Sequence, residues 1–306
     1  MSETVLITGG TGLIGRRLTQ LLLHQGYQVS CLSRSAKPIP NVQVYQWDVH
    51  REIIDPAAVT SADYIIHLAG AGIADERWSE ARKREIMDSR TQSTLLLARA
   101  LLKHPNRVKA FVSSSAIGYY GGNTGDAVQT ETSPAGTDFM ALVTRAWEQS
   151  VEAVAAVGLR TVLLRTGVVL TLDGGALPRL VQPIRLGAGS PLGSGRQYVS
   201  WIHVDDLCRM YIQALTDSAW SGAYNAVASQ PVTNADLTRA IARQLGKPLF
   251  MPNVPAFSIQ LLFGEMAVVV LGSSRVVNQR IRRETSFQYA FDDLGRALAD
   301  LLTKKS

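Results

Sequence analysis

A short apolar run at residues 5–8 leads straight into Thr8-Gly9-Gly10-Thr11-Gly12-Leu13-Ile14-Gly15, which places glycines at 9, 12 and 15. Behind them Leu13, Leu18, Leu21 and Leu22 recur at helical spacing, and Gly26 follows where a helix would close. A glycine triplet between a strand and a helix serves three purposes. One glycine permits a tight turn, one lets the backbone approach a pyrophosphate, and one lets the helix sit close to the sheet. The helix amino terminus then offers unpaired N–H groups to phosphate. Thr8 to Gly15 therefore read as a nucleotide-phosphate loop.

The pattern continues in the same style. Further strands are expected at residues 29–32, 42–47, 64–68, 108–112 and 161–164, and helices at 79–102 and 139–157. Short buried strands alternating with helices specify an α/β fold with a Rossmann-like, doubly wound parallel sheet. After residue 170 the texture changes to glycine-rich stretches and helices near 205–215, 234–245 and 294–302. We read residues 1–170 as an NAD(P)-binding domain to which a segment near 196–230 returns. Residues 171–195 and 231–306 then form a smaller C-terminal α/β lobe on the substrate side. With 306 residues, 46% of them hydrophobic, the chain can bury a sizeable core.

Composition narrows the class. The net charge of +6 is spread along the chain, so no concentrated footprint for nucleic acid is present. The greasiest stretch, residues 254–271, is interrupted by Ser258, Gln260, Gly264 and Glu265. A membrane span needs about 20 largely apolar residues, so a packed helix or pair of helices is expected instead. Cys31 and Cys208 are the two cysteines, too few for a disulfide framework. The opening residues lack the pattern of a signal peptide, and the cytoplasm is the expected location. The five histidines have no metal-ligand spacing, and neither a Gly-x-Ser-x-Gly elbow nor a Gly-Lys-Ser/Thr loop occurs. No metal is expected.

The residues after the second strand bear on cofactor choice. An acidic residue there would bind the ribose diol of NAD, whereas a basic one accommodates a 2′-phosphate. Ser33-Arg34-Ser35 occupies the position, which favours NADP(H) over NAD(H). Asp48, just past the third strand, is either an acceptor for the adenine amino group or a turn residue.

Several later segments carry a resemblance. Thr8 to Gly15, His67-Leu68-Ala69-Gly70-Ala71, Ser113-Ser114-Ser115, Leu164-Arg165-Thr166-Gly167 and Trp201-Ile202-His203-Val204-Asp205-Asp206 together resemble an extended short-chain dehydrogenase/reductase. More narrowly they resemble the epimerase-like branch of that superfamily. Phe263-Gly264-Glu265 lies in a region similar to that branch's C-terminal domain. The resemblance implies that Leu68, Ala69, Gly70 and Ala71 run beneath the cofactor's ribose and phosphates, and that Gly167 and Val168 approach the nicotinamide. It also implies that Ser114 or Ser115 stands where the catalytic serine would be.

One departure is plain. The superfamily's acid/base pair is Tyr-x-x-x-Lys on the helix after the fifth strand. Here both registers, Phe139/Val143 and Met140/Thr144, lack it. Tyr119 and Tyr120, just past the serines, are candidates to supply the missing hydroxyl, and each also fits a packed aromatic. Glu131 and Arg145 are lesser candidates for polar contacts in the cleft. Arg196, Gln197, Tyr198, Trp201 and His203 follow a glycine-rich loop and fall on the substrate side. His203 fits a structural histidine better than a proton carrier, and Asp205 or Asp206 is expected to cap the next helix. Two functions remain: an NADP-dependent oxidoreductase or epimerase for a small hydroxyl- or carbonyl-bearing substrate, or a non-catalytic NADPH-sensing or scaffold protein. The partners expected are a small-molecule substrate and, through helices flanking the sheet, a second copy of the chain.

Overall fold

The computed structural model describes residues 2–35 and 37–303; residues 1, 36 and 304–306, at the edges of or inside the segments drawn above, lie outside the described residues. In chain order the elements are β1 (Thr4–Thr8), α1 (Leu13–His24), β2 (Gln28–Ser33), β3 (Val42–Asp48), β4 (Ile53–Ile54), α2 (Pro56–Thr60), β5 (Tyr64–His67), α3 (Glu80–Lys103), β6 (Ala110–Ala116), β7 (Val128–Gln129) and α4 (Phe139–Ala155). Then come β8 (Arg160–Thr166), β9 (Val168–Leu170), α5 (Ala176–Arg185), β10 (Tyr198–Val199), β11 (Trp201–His203), α6 (Val204–Thr216), β12 (Gly222–Ala226), β13 (Val232–Thr233) and α7 (Asn234–Gln244). The chain ends with α8 (Ala256–Phe263), α9 (Val268–Leu271), β14 (Arg275–Val276), α10 (Gln279–Glu284) and α11 (Leu294–Thr303).

The large sheet has eight strands in the order β12-β8-β6-β5-β1-β2-β3-β4, all parallel except β4. From β1 the chain runs outward through β2 and β3, then returns to build β5, β6 and β8 on the other side. That reversal opens a crevice at the carboxyl ends of β1 and β5. Successive strand residues face opposite layers. Val5, Ile7, Ile66 and Val112 pack with Leu18 of α1 and Leu207, Met210 and Tyr211 of α6. Leu6, Ile65 and Phe111 pack on the other side with Leu97 and Leu101 of α3 and Val151 of α4. The third core joins α5, α7 and α11 through Leu177, Val181, Ile184, Leu237, Ile241 and Leu298, with Trp201 beside them.

Helix boundaries follow their caps. Ser79 accepts from the Arg82 N–H and starts α3; Asp138 accepts from the Ala141 N–H and starts α4. Gly26 has φ +86° just beyond α1, a backbone conformation that glycine adopts without a Cβ penalty. Two expectations need correction. The strand expected at 108–112 is β6, Ala110–Ala116, which runs on through all three serines, flanked by β5 as far as Ser113 and by β8 along its whole length. Neither Asp205 nor Asp206 caps α6. His203 does so, its Nδ1 accepting from the Asp205 N–H at 3.1 Å. Asp205 instead forms a bidentate pair with Arg17 of α1, at 2.6 and 2.9 Å. Asp206 is fully buried and accepts from the Ala290 and Phe291 N–H groups and from Arg209. The apolar stretch at 254–271 folds as α8, a 3-10 turn (Gly264–Ala267) and α9. Among the described residues no helix is long and apolar enough to cross a membrane.

Candidate functional site

The crevice begins at the glycine turn. Gly9 leaves β1 with φ +70°, and its carbonyl accepts from the Gly12 N–H at 2.9 Å. A side chain at Gly15 would place its Cβ 2.3 Å from the Gly9 oxygen, and one at Gly10 would strike Cys31 Sγ at 2.4 Å. Both positions demand glycine because backbone and sulfur already occupy the space. Gly12 precedes α1, and no side chain caps that helix. Its first N–H groups therefore face the crevice without side-chain competition, an arrangement that suits a phosphate.

The β5 end is braced from below. Thr8 is fully buried and its Oγ1 accepts from the Leu68 and Ala69 N–H groups, each at 3.1 Å. The same oxygen pairs with His67 Nδ1 at 2.8 Å, while His67 Nε2 meets the hydroxyls of Ser93 and Thr94 on α3. Complete burial, with a smaller contribution from Arg90, pushes the His67 pKa down to about 3. The ring is thus a neutral strut that fixes the two strand ends relative to each other. Thr8 supports the crevice rather than lining it.

The crevice has a volume of about 1200 Å³ and is lined by Gly9, Gly10, Thr11 and Gly12, by Ser33, Arg34 and Ser35, by Asp48, and by Leu68 to Gly72. The side chains of Leu13 and Ile14, and Gly15, Gly167 and Val168, are not part of this lining. Gly167 has a packing reason: a Cβ there would sit 2.5 Å from the Ser200 oxygen, where β9 and β11 pair. Arg34 is exposed at the mouth, beyond a turn in which Ser33 Oγ accepts from the Ser35 N–H. Asp48 ends β3 and lines the crevice, and its Oδ1 accepts from the His50 and Arg51 N–H groups of the turn that follows. The far wall is α3, with Arg82, Glu85, Asp88, Ser89 and Gln92. Our sequence reading did not single these out. Their signal was a run of polar residues at helical spacing, which reads equally as a solvated face.

On β6, beside β5 and at the same carboxyl edge of the sheet, the serines divide between its two faces. Ser115 donates to Glu148 Oε1 at 2.5 Å, and Glu148 also receives Arg165 Nε and Nη2, both at 2.8 Å. Ser114 points to the opposite layer, toward the buried Tyr211. Tyr120 is not a crevice group: it is 5% exposed, donates to Asn225 Oδ1 at 2.7 Å and accepts from Arg165 Nη1 at 3.0 Å. Tyr119 does not line the crevice as drawn by its wall residues either; it is half-buried against Tyr120, with the Arg165 guanidinium 3.4 Å from its ring centroid. Of the two helix registers, Met140/Thr144 faces this turn, since both side chains abut Gly118. Thr144 spends its hydroxyl on the Met140 carbonyl. The Glu148–Arg165 pair escaped our sequence reading; its one clue was a charge inside the apolar strand 160–166.

The substrate-side candidates scatter. Glu131 Oε1 accepts from the Asn225 N–H, so it braces β12. Arg145 and Arg196 are exposed. Gln197 is buried and donates to the Leu192 carbonyl, Trp201 is 1% exposed and donates to the Gln230 carbonyl, and Tyr198 lies under the Arg275 guanidinium. His203 is buried, stacks on Phe291 and pairs with Asp300 at 3.4 Å. Among these residues Gln197, Trp201 and His203 are buried, Glu131 and Tyr198 are half-buried, and the two arginines are exposed. Among the described residues no three of His, Cys, Asp or Glu gather where they could hold a metal ion.

Known proteins share this arrangement. Residues 5–226 match the model of the NAD dependent epimerase/dehydratase family, and residues 254–301 match a domain of unknown function, DUF1731. The human epimerase family protein SDR39U1 is 36% identical over 302 residues, covering 97% of this chain and 99% of that protein. A Mycobacterium bovis epimerase family protein, Mb2239, is 37% identical over 306 residues, with 99% of each chain covered. A crystal structure of human SDR39U1 (isoform 2) with NADPH superposes with a TM-score of 0.87 at 34% identity. It covers 99% of this chain and all of that one.

Proposed function

The chain belongs to the NAD dependent epimerase/dehydratase family, and we propose that within it this protein is an NADP(H)-dependent oxidoreductase or epimerase acting on a small hydroxyl- or carbonyl-bearing compound. The observation that carries this reading is the single crevice running from Arg34 across Gly9–Gly12 to Leu68–Gly72. The crystallised human relative was solved with NADPH. The residues fit such a group: the glycines let the turn pack tightly on Leu68, Cys31 and α1, the uncapped α1 terminus suits the pyrophosphate, and Arg34 suits a 2′-phosphate.

A bound nicotinamide would supply or accept a hydride at the substrate carbon. The chain must then hold the proton that the substrate oxygen gains or loses. We assign that proton to Tyr119, whose ring is fixed in place by the Arg165 guanidinium. Glu148 in turn fixes Arg165 and takes the Ser115 proton donor, which removes Ser115 from direct duty.

Calorimetric titration of cofactor-stripped protein with NADPH and NADH tests the cofactor half. Arg34→Asp is expected to weaken NADPH binding about tenfold to a hundredfold, from loss of one charge-assisted contact, and to spare NADH. Equal affinity of the wild type for both cofactors would sink the assignment of Arg34. For the proton, Tyr119→Phe is expected to lower kcat by about 10²–10⁴-fold with NADPH affinity unchanged. Undiminished turnover of any active substrate would remove Tyr119 from the mechanism. A second reading, a cofactor-sensing protein without turnover, is favoured by Met140 and Thr144, which carry no available proton where the family's dyad stands. Single-turnover oxidation of bound NADPH by a carbonyl compound decides against it.

A further inference from the structure

Building on the cofactor reading above, we infer that the substrate inserts an apolar ring or chain into a second cavity beside the cofactor crevice, so that the protein acts on lipophilic carbonyl or hydroxyl compounds and not on nucleotide sugars. This cavity has a volume of about 220 Å³ and lies between α5, the loop at 188–192 and the segment at 263–270. Leu180, Ile184, Leu192, Phe263, Met266 and Val269 form most of its wall, and Arg179 is its one charged lining residue.

Its position ties it to the chemistry. Gly72 and Asp75 line the cofactor crevice while Ala74, between them, lines the cavity, so one turn of chain forms the shared wall. The C-terminal segment is held against that turn and the start of α3. Glu265 pairs with Lys83 at 2.6 Å, and Gly264 backs onto Arg77. The cavity is therefore built where the lobe meets the cofactor domain.

Its chemistry selects the occupant. A dry pocket of about 150 Å³ lined by Leu, Ile and Phe binds benzene, so this larger one takes a ring with a short chain or a fused pair of rings. The lining hydroxyls, Ser190 and Thr238, both donate to backbone carbonyls, so a sugar would leave most of its hydroxyls without partners, and a diphosphate would find one cation where it needs several donors.

The test titrates the NADPH-loaded protein with 2-acetonaphthone and with UDP-glucose by calorimetry, for the wild type and for Val269→Trp and Leu180→Phe, both of which fill the cavity. Saturable binding of 2-acetonaphthone to the wild type is expected, weakened at least tenfold in either variant, with UDP-glucose not binding. Absence of 2-acetonaphthone binding, equal affinity in the wild type and a folded variant, or saturable binding of UDP-glucose each overturns the inference. NADPH titrations of the same samples separate the two readings. Wild type that fails to bind NADPH overturns the cofactor assignment, whereas intact NADPH binding without the ketone overturns only the apolar substrate. NADPH affinity also reports folding of each variant, and Leu180→Phe serves if the tryptophan is not accommodated.

Discussion

Replacing Glu148 by alanine is expected to cost about 3–5 kcal/mol of folding stability, the usual penalty for stripping a buried charge of its partner. Arg165 is 5% exposed, and two of its three nitrogens donate to that carboxylate. Burial opposes the guanidinium's charge, and the Glu148 carboxylate more than compensates, so its pKa lies above the ordinary arginine value. Removing the carboxylate leaves the cation in the sheet with Tyr120 and the aromatic rings as its remaining company. It also orphans the Ser115 hydroxyl. Urea denaturation of the variant measures the loss; a midpoint within experimental error of the wild type would show that the pair contributes nothing net. Glu148→Gln keeps an acceptor for Ser115 and is expected to fall between the two.

The second large effect is at the glycine turn. Gly15→Ala puts a Cβ 2.3 Å from the Gly9 oxygen and 2.7 Å from the Gly10 Cα, and both are backbone atoms that cannot swing aside. Either α1 lifts from the turn or the turn opens, and in both cases the helix N–H groups leave the place where a pyrophosphate would meet them. Affinity for NADPH is expected to fall at least about a hundredfold, or about 2.7 kcal/mol, with overpacking adding about 1–3 kcal/mol of destabilisation. Gly26→Ala, just past the far end of the same helix, meets no atom within 4 Å but sets an alanine at φ +86°, so it is expected to lose stability through backbone strain while keeping NADPH affinity. Wild-type NADPH affinity in Gly15→Ala would exclude this turn as the phosphate site.

The elements that announce themselves in this chain are those whose signal is local. The glycine turn, the α1 leucines, and Ser79 ahead of a long helix all depend on neighbours a few residues away, and α3 begins and ends within one residue of the expected 79–102. β6 reads too short because Ser113, Ser114 and Ser115 look like a turn. Their place in a sheet depends on β8 and Glu148, which arrive much later in the chain. Asp206 misleads in the same way: two acids at the start of a helix look like caps, and only the fold brings Ala290 and Phe291 to the second of them. Tyr119 and Tyr120 are adjacent and alike in sequence, yet the 3-10 turn at Ile117–Tyr120 sends one into the core. The α3 wall of the crevice was hidden by chemistry, since Glu85, Asp88 and Gln92 would look the same on any solvated helix.

β12 has a consequence for the order in which the molecule is completed during synthesis. Every strand of the large sheet has been translated once residue 226 is made. The groups that finish its edge have not. Asn225 Nδ2 donates to the Val277 carbonyl, Arg280 donates to the Ala223 carbonyl, and buried Asp206 waits for residues 290 and 291. On the ribosome the nascent sheet therefore carries unsatisfied polar groups until the carboxyl-terminal stretch emerges, because unpaired buried groups oppose closure. The last stretch of chain acts as a clasp, and premature termination after the final sheet strand leaves an edge open to wrong partners.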